Sequence, residues 1–259
     1  MVKMNNIINT LKNRVAKHNV TLLIIIPTYN EIGNINRLIQ KLIDNVTISF
    51  DLLIIDDNSP DGTSQLIKDM QNDINNLHLV IRKEKAGLGS AYIEGFNIAI
   101  KAGYQYCISM DADLSHPPEI INLMLDEIKN HDLIIGSRYV NGGGYINLEL
   151  WRIIMSMAGN SFARIMLNLK SKDCTAGFRC MRTSILSTII KNKKFSKRYV
   201  FLVELLFFFQ QNNCKIKEVP ITFTNRTIGQ TKINFTEMIQ GVLKIIQLGI
   251  KSKLSRNYQ

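Results

Sequence analysis

The sequence predicts an α/β protein with a mostly parallel central sheet and helices on both faces. From residue 21 to about 136, short apolar runs alternate with stretches of helical periodicity, the order that βαβ units impose. The runs are apolar almost throughout, as strands covered on both faces are. Polar clusters follow the strands directly, and in such sheets ligands collect at the carboxyl ends.

TLLIII (21–26) reads as the first buried strand. Residues 31–46 place Ile32, Ile35, Leu38, Ile39, Leu42, Ile43 and Val46 at helical spacing. DLLIID (51–56) is the second strand, and the helix after it carries Leu66, Ile67, Met70 and Ile74. LHLVIR (77–82), a helix over about 88–102 and YQYCISM (104–110) continue the alternation. A helix starting near Pro117 takes proline at its tolerated first position and buries Ile120, Ile121, Met124 and Leu125. DLIIG (132–136) closes the series.

The second half is less regular. NGGG (141–144) reads as a loop, 151–169 as a long helix and 199–212 as a very apolar one. KIKEVPITF (215–223) reads as an edge strand, because Pro220 removes a ladder donor. The division that follows is an N-terminal basic amphipathic segment (1–20), a central α/β domain (21–235), and a C-terminal amphipathic helix and tail (236–259) suited to membrane contact. In residues 1–20, Met4, Ile7, Ile8, Leu11 and Val15 share a face, with Lys3, Lys12, Arg14 and Lys17 supplying charge. Two readings stand open: a solvated or loosely docked leader and an interfacial membrane helix.

A hydrophobic content of 46% with 20% charged residues excludes a disordered chain. The formal net charge of +11 favours anionic partners: nucleic acid, a membrane surface or a phosphorylated substrate. Cys107, Cys174, Cys180 and Cys214 form no C-x-x-C pair and no zinc-type spacing. Reduced thiols point to a cytosolic environment. No run reaches the roughly 18–20 apolar residues needed to span a bilayer, and the N-terminus has no signal-peptide core.

Four polar clusters sit at predicted strand ends. In PTYNE (27–31), Asn30 can cap the next helix and Glu31 suits its first turn, while Tyr29 is placed to pack on a flat base. DDNSPDGT (56–63) is a turn preceded by two aspartates that a turn does not need. In an extended D-x-D, Asp111 and Asp113 face the same side. Two like charges so close require a cation between them, and a hard ion such as Mg²⁺ or Mn²⁺ keeps positions for phosphate oxygens. In GSRY (136–139), Arg138 can meet phosphate bidentately. GLGS (87–90) is excluded as a dinucleotide loop, since Tyr92 stands where a third glycine is required. Together the clusters suit a nucleotide diphosphate with a metal.

PTYNE, DDNSPDGT, DADLSHPP and GSRY, in this order, resemble the dolichyl-phosphate mannose synthases, inverting glycosyltransferases of the GT-A fold. WRIIMS (151–156), CTAGFRCMR (174–182) and EVPITFTNRTIGQTK (218–232) extend the likeness to about residues 21–250. The resemblance implies transfer of mannose from GDP-mannose to dolichyl phosphate, giving dolichyl phosphate β-mannose for GPI anchors and protein glycosylation. By motif, it places Pro27, Tyr29, Glu31, Ile55 and Asp57 in the guanosine pocket. Asp111, Ala112 and Asp113 meet ribose-diphosphate and metal, and Arg226 and Lys232 hold the diphosphate. Arg138, Arg152 and Ser156 receive the acceptor phosphate, Arg138 also touching the donor; Asp113, Arg138 and Arg152 carry catalysis. Asp173, just before CTAGF, is read as ordering that turn.

Two departures from the family pattern bear on the site. Ser115 stands where many relatives carry a metal-ligating glutamine, so its hydroxyl or a water fills that position. GQTK replaces the common GESK. The chain also resembles the type without transmembrane hairpins, held peripherally on the cytosolic face of the endoplasmic reticulum by small membrane-anchoring subunits or its own helices. The alternatives weighed are a polyprenyl-phosphate glucosyltransferase using UDP-glucose and an inert nucleotide-sugar-binding scaffold. Nucleic-acid binding is disfavoured, as no basic run interleaves with exposed aromatics.

Overall fold

A computed structural model describes residues 2–191, 193–225 and 235–256. In chain order the elements are α1 (Val2–His18), β1 (Leu22–Thr28), α2 (Ile35–Asn45), β2 (Phe50–Asp56), α3 (Thr63–Met70), β3 (Leu77–Ile81), α4 (Leu88–Ala102) and β4 (Tyr106–Ser109). A 3-10 turn (Pro118–Ile120) leads into α5 (Ile121–Glu127) and β5 (Leu133–Ser137). Then come β6 (Gly144–Ile146), α6 (Leu150–Leu167), β7 (Arg179–Arg182), α7 (Thr183–Ile190), α8 (Phe201–Gln211), β8 (Ile216–Pro220), β9 (Thr222–Thr224) and α9 (Phe235–Arg256).

Seven strands form one sheet in the order β3-β2-β1-β4-β7-β5-β8. Neighbours run parallel except around β7, which is antiparallel to both β4 and β5. The expected α/β architecture with a mostly parallel sheet is therefore present. The β1–β2 register pairs Leu22 with Phe50 and Thr28 with Asp56, so both strands end level. Chain order reverses at β1 and β4, and a crevice opens above their carboxyl ends, where an open α/β sheet binds ligands.

Strand side chains alternate between the two faces. Leu23, Ile25, Leu53 and Ile55 join a core with α4, α7 and α8, while Leu22, Ile24, Ile26, Leu52 and Ile54 join a second core with α2 and α5. β7 was not legible as a strand, and its physical reason is Arg179. This fully buried residue donates to three backbone carbonyls, Ala176 at 2.9 Å, Leu202 at 2.8 Å and Cys174 at 3.0 Å. Burial pulls its guanidinium down to about 10. A charged residue facing inward hides the apolar alternation of a four-residue strand.

Several local expectations need correcting. The helix expected from residue 31 starts at Ile35, with Asn34 and not Asn30 at the cap position. Asn30 instead takes a positive φ of 55° and gives its N–H to Ser59 Oγ at 2.9 Å. The apolar face of α1 docks inward: Ile8 and Leu11 are buried, and Ile7 and Val15 pack on the same core, while Met4 stays exposed. Burying a side chain such as Leu11 stabilises by about 1.5–3 kcal/mol. Arg14 also pairs with Asp51, a fully buried carboxylate that accepts from Tyr104 Oη at 2.6 Å and lies 3.3 Å from His78 Nε2.

Among the described residues, no helix is long and apolar enough to cross a membrane. Exposed apolar side chains concentrate on α6 (Leu150, Trp151, Ile154, Met155, Met157, Ile165) and α9 (Met238, Ile239, Val242, Leu243, Ile250).

Candidate active site

One cavity opens at the carboxyl ends of β1, β2 and β4, lined by Pro27, Tyr29, Glu31, Asp57, Asp111, Ala112 and Asp113 among others. The two aspartates after β2 have different work. Asp56 is buried and accepts from Thr28 Oγ1 (2.7 Å), Ser59 N (2.8 Å), Ser59 Oγ (2.6 Å) and Ser64 Oγ (2.6 Å). It is the turn organiser. Asp57 faces the cavity, held by Arg82 Nη1 at 2.7 Å and Gly87 N at 3.3 Å. Burial raises its carboxyl, against the lowering charge of Arg82. Arg82 also donates to Ser90 Oγ at 2.6 Å and approaches Glu94 at 3.4 Å, so its orientation is fixed.

Glu31 is set by the turn that precedes α2. Its N–H meets Thr63 Oγ1 at 3.0 Å and its carboxylate accepts from Asn34 Nδ2 at 2.8 Å. Tyr29 presents a ring face with Lys85 Nζ 4.0 Å from its centroid. Ile55 does not line this cavity. It lies fully buried beneath α4, where a side chain on Gly95 would meet its Cδ1 at 3.0 Å.

β4 ends at Ser109, so the D-A-D lies in a bend beyond the strand and not in extended chain; Leu114 takes a positive φ of 63°. The alternation expected to align the two carboxylates does not apply, yet both line the cavity. Asp113 is buried, and its Oδ1 accepts from Ser115 N (3.1 Å) and Ser115 Oγ (2.6 Å). The Ser115 hydroxyl hydrogen is thus directed at Asp113. Asp111 accepts from Tyr92 Oη at 3.1 Å, and its own N–H goes to His116 Nδ1 at 3.0 Å. Burial first, then the Asp111 charge, holds the Tyr92 phenol well above its usual range, which keeps it a donor.

The His116 ring stacks on Phe178 (5.2 Å) and meets Phe223 edge-on (6.0 Å). Among the described residues, no group of three or more His, Cys, Asp or Glu side chains forms a metal cage. Two carboxylates on one cavity wall fit a hard divalent ion that draws its other ligands from phosphate and water.

A second cluster adjoins the first across Phe223, which lines the cavity and sits 5.5 Å from the Arg138 guanidinium. Arg138 follows β5. Asp173 grips it through Nε–Oδ2 and Nη2–Oδ1, both 2.7 Å, and Thr175 Oγ1 accepts at 2.9 Å. Burial opposes its charge, but Asp173 outweighs burial and raises it. The glycine run brings β6 over this residue: a side chain on Gly143 would meet Ser137 O at 2.6 Å. β6 pairs with β9, setting Tyr145 beside Phe223. Ser156 of α6 joins through Tyr139 Oη (2.7 Å) and Tyr145 Oη (3.3 Å).

Arg152, one helical turn before Ser156, pairs with Glu149 at 3.0 Å and lies 5.4 Å from the Trp151 ring. The structure therefore links Arg138 and Ser156 through Tyr139 and Tyr145, while Arg152 turns to Glu149 and Trp151. Arg226 and Lys232 lie outside the described residues. Lys85, Arg198, Tyr199, Phe223 and Glu237 also line the cavity and were not singled out by sequence. Lys85 stands in the basic loop after the expected strand 77–82, Arg198 and Tyr199 precede an apolar helix, Phe223 ends the expected edge strand, and Glu237 lies in the first turn of α9.

The chain is similar in structure to mannosyl-3-phosphoglycerate synthase from Rubrobacter xylanophilus, with a TM-score of 0.67 at 14% identity over 94% of this chain and 78% of that one. It is also similar to glucosyl-3-phosphoglycerate synthase from Mycobacterium tuberculosis in complex with Mn²⁺, UDP and glucosyl-3-phosphoglycerate (TM-score 0.60, 17% identity, 92% and 81% covered). The fold is that of the GT-A glycosyltransferases. Residues 23–190 match glycosyl transferase family 2, and the chain belongs to that family. In sequence it is similar to polyprenol monophosphomannose synthase of Mycolicibacterium smegmatis (37% identity; 90% of this chain and 89% of that protein). It is likewise similar to undecaprenyl-phosphate mannosyltransferase of Micrococcus luteus (38%; 90% and 95%).

Proposed function

We propose that this glycosyltransferase moves mannose from GDP-mannose to the phosphate of a membrane-borne polyprenyl phosphate, with inversion at the sugar carbon. The observation that carries this is the adjacency of a carboxylate-lined cavity and an arginine-centred cluster. The carboxylate-lined cavity meets the Arg138–Ser156 cluster across Phe223, and Ser156 sits on the helix whose outer side exposes Trp151, Ile154 and Met155. A lipid phosphate reaching Arg138 from that side keeps its chain against apolar surface. The names of both bacterial relatives support the sugar and the acceptor class.

In this reading Tyr29 and Asp57 take the base end of the donor, while Asp111 and Asp113 take the diphosphate through Mg²⁺ or Mn²⁺. The ion supplies charge stabilisation to the departing diphosphate. The acceptor phosphate oxygen, ionised at neutral pH, forms the new bond to mannose C1. The bond from C1 to the donor phosphate breaks and GDP leaves. No general base is required, so the protein's share is positioning and fixed positive charge. Arg138, pre-aimed by Asp173, supplies that charge, and Arg152 joins on leaving Glu149.

Dolichyl phosphate is the acceptor that the motif resemblance implies within this class. With it come supply of GPI anchors and glycosylation, a peripheral position on the cytosolic face of the endoplasmic reticulum, and small anchoring subunits. The exposed faces of α6 and α9 support peripheral membrane contact.

The test is transfer to organic-soluble product from labelled GDP-mannose and, in parallel, UDP-glucose, with dolichyl and undecaprenyl phosphates in liposomes and Mg²⁺ or Mn²⁺. Mannose transfer is expected. Glucose transfer would establish the alternative donor, and no transfer from either would end the enzyme reading.

A further inference from the structure

GLGS is not a dinucleotide loop, and its glycines have another purpose. A side chain on Gly89 would meet Ser196 O at 2.4 Å and Phe201 Cβ at 2.7 Å, and one on Gly87 would meet Lys197 O at 2.5 Å. Backbone 196–198 therefore lies directly on this turn, fixed by the Gly89 N–H to Lys197 O at 2.9 Å. The seating places Arg198 and Tyr199 in the cavity wall. On its other side the strap is held from α8 and α9. Buried Glu204 accepts from Ser196 N at 2.8 Å and pairs with Lys244 at 3.2 Å, and Arg198 pairs with Glu237 at 3.3 Å.

The charge pattern gives Arg198 a role. The cavity is lined by the carboxylates of Glu31, Asp57, Asp111, Asp113 and Glu237, and a diphosphate entering it needs cations. Among the described residues the lysines and arginines lining it are Lys85 and Arg198. Lys85 rests on Tyr29 at the base end. Arg198 precedes Tyr199, and both line the same cavity as Asp111, Ala112 and Asp113. Among the described residues, Arg198 is thus the lining cation that does not rest on Tyr29. Its ion pair with Glu237 runs through Nη1, and nearly half of the side chain is exposed. An exposed pair of this kind contributes little, whereas a guanidinium fork binds phosphate oxygens strongly and with direction.

We propose that Arg198 is a diphosphate-binding residue, kept in the cavity by Glu237 and exchanged onto the donor's diphosphate when it enters. The inference rests on the donor being a nucleoside diphosphate sugar. Lys244–Glu204 keeps α9 seated on the strap while Arg198 changes partner.

Calorimetric titration of the full chain with GDP, GMP, UDP and UMP in Mn²⁺ tests this through the preference for diphosphate over monophosphate. In Arg198→Gln that preference falls by about ten- to a hundredfold, while monophosphate affinity stays within about twofold of wild type, as the base end is untouched. Arg198→Lys keeps part of the preference, and Glu237→Gln raises diphosphate affinity by about two- to fivefold. An unchanged preference in Arg198→Gln, or equal loss of both ligands, overturns the proposal, as does loss of diphosphate affinity in Glu237→Gln. Base choice is read separately. Tighter UDP than GDP refutes the guanine donor and leaves the Arg198 ratio interpretable, whereas a wild-type chain that binds none of the four refutes both.

Discussion

Asp173 holds Arg138 by two parallel hydrogen bonds, Nε to Oδ2 and Nη2 to Oδ1, each 2.7 Å long, and Asp173 itself is fully buried. Glu218 secures the turn from behind, accepting from Lys172 N at 2.7 Å and Asp173 N at 2.9 Å. Arg138 is therefore a fixed cation, aimed by a residue that does not line the cavity.

Asp173→Asn keeps the shape of this contact but turns one oxygen into an amide donor facing a donor. The acceptor KM is expected to rise by about ten- to a hundredfold, with GDP affinity unchanged. Steady-state kinetics with varied polyprenyl phosphate, together with GDP titration, read both. Equal loss of donor and acceptor binding would show instead that the whole turn had collapsed.

At the base of the sheet, Arg14 and Asp51 join α1 to β2. Burial acts to raise the Asp51 carboxyl, but hydrogen bonds from His78 and Tyr104 and the charge of Arg14 hold it below the usual range. A depressed carboxylate contributes stability in full above its unfolded pKa, about 3.9, and loses it as pH falls through the folded value. Arg14→Met is expected to cost about 3 kcal/mol at pH 7 by leaving the buried carboxylate short of its cation. Urea unfolding across pH should show wild type and variant converging below about pH 4; a constant gap would mean that the loss is packing alone.

How much of this was legible depended on whether a residue's pattern and its task coincide. The parallel strands were legible because Leu22–Ile26 and Leu52–Ile55 are apolar at every position, a consequence of burial on both faces. β7 was not, because Arg179 inside a short strand reads as polar while its donors are satisfied by carbonyls. PTYNE, DDNSPDGT and DADLSH were legible as strand-end clusters. Their internal division of labour, Asp56 bonding the turn and Asp57 facing the cavity, depends on backbone geometry that a motif does not encode. The same holds for α1, whose basic face suggested lipid until buried Asp51 supplied a partner for Arg14. Arg198 arrives on a strap that only the packing at Gly89 reveals.

Gly89→Ala is a test of that packing. The added methyl would lie 2.4 Å from a backbone carbonyl, which cannot swing aside as a flexible side chain would. The strap must shift, at an expected cost of about 1–3 kcal/mol, and nucleoside diphosphate affinity should fall with it. Gly159→Ala on α6 is the control, since a methyl there meets nothing within 4 Å. That change is expected to raise stability by up to about 1 kcal/mol. Thermal unfolding and GDP titration of both variants separate a local displacement from a general response to alanine.

The D-A-D bend separates two tasks that a metal site requires, ligation and orientation. Asp113 faces the cavity, and Ser115 donates both its N–H and its hydroxyl to Asp113 Oδ1. Asp113→Ala removes a carboxylate at the expected cation position, so metal-dependent turnover should vanish while the chain remains folded by circular dichroism. Ser115→Ala removes one of the two bonds that aim the carboxylate. The metal concentration for half-maximal activity should rise by about tenfold or more, the range for partners of metal ligands, with maximal turnover largely recovered at saturating Mn²⁺. Metal titrations of activity in the three proteins distinguish the roles. If Ser115→Ala lost turnover at every Mn²⁺ concentration, as Asp113→Ala should, the serine would be a ligand and not an aiming residue. Full activity in Asp113→Ala would place the cation elsewhere in the cavity.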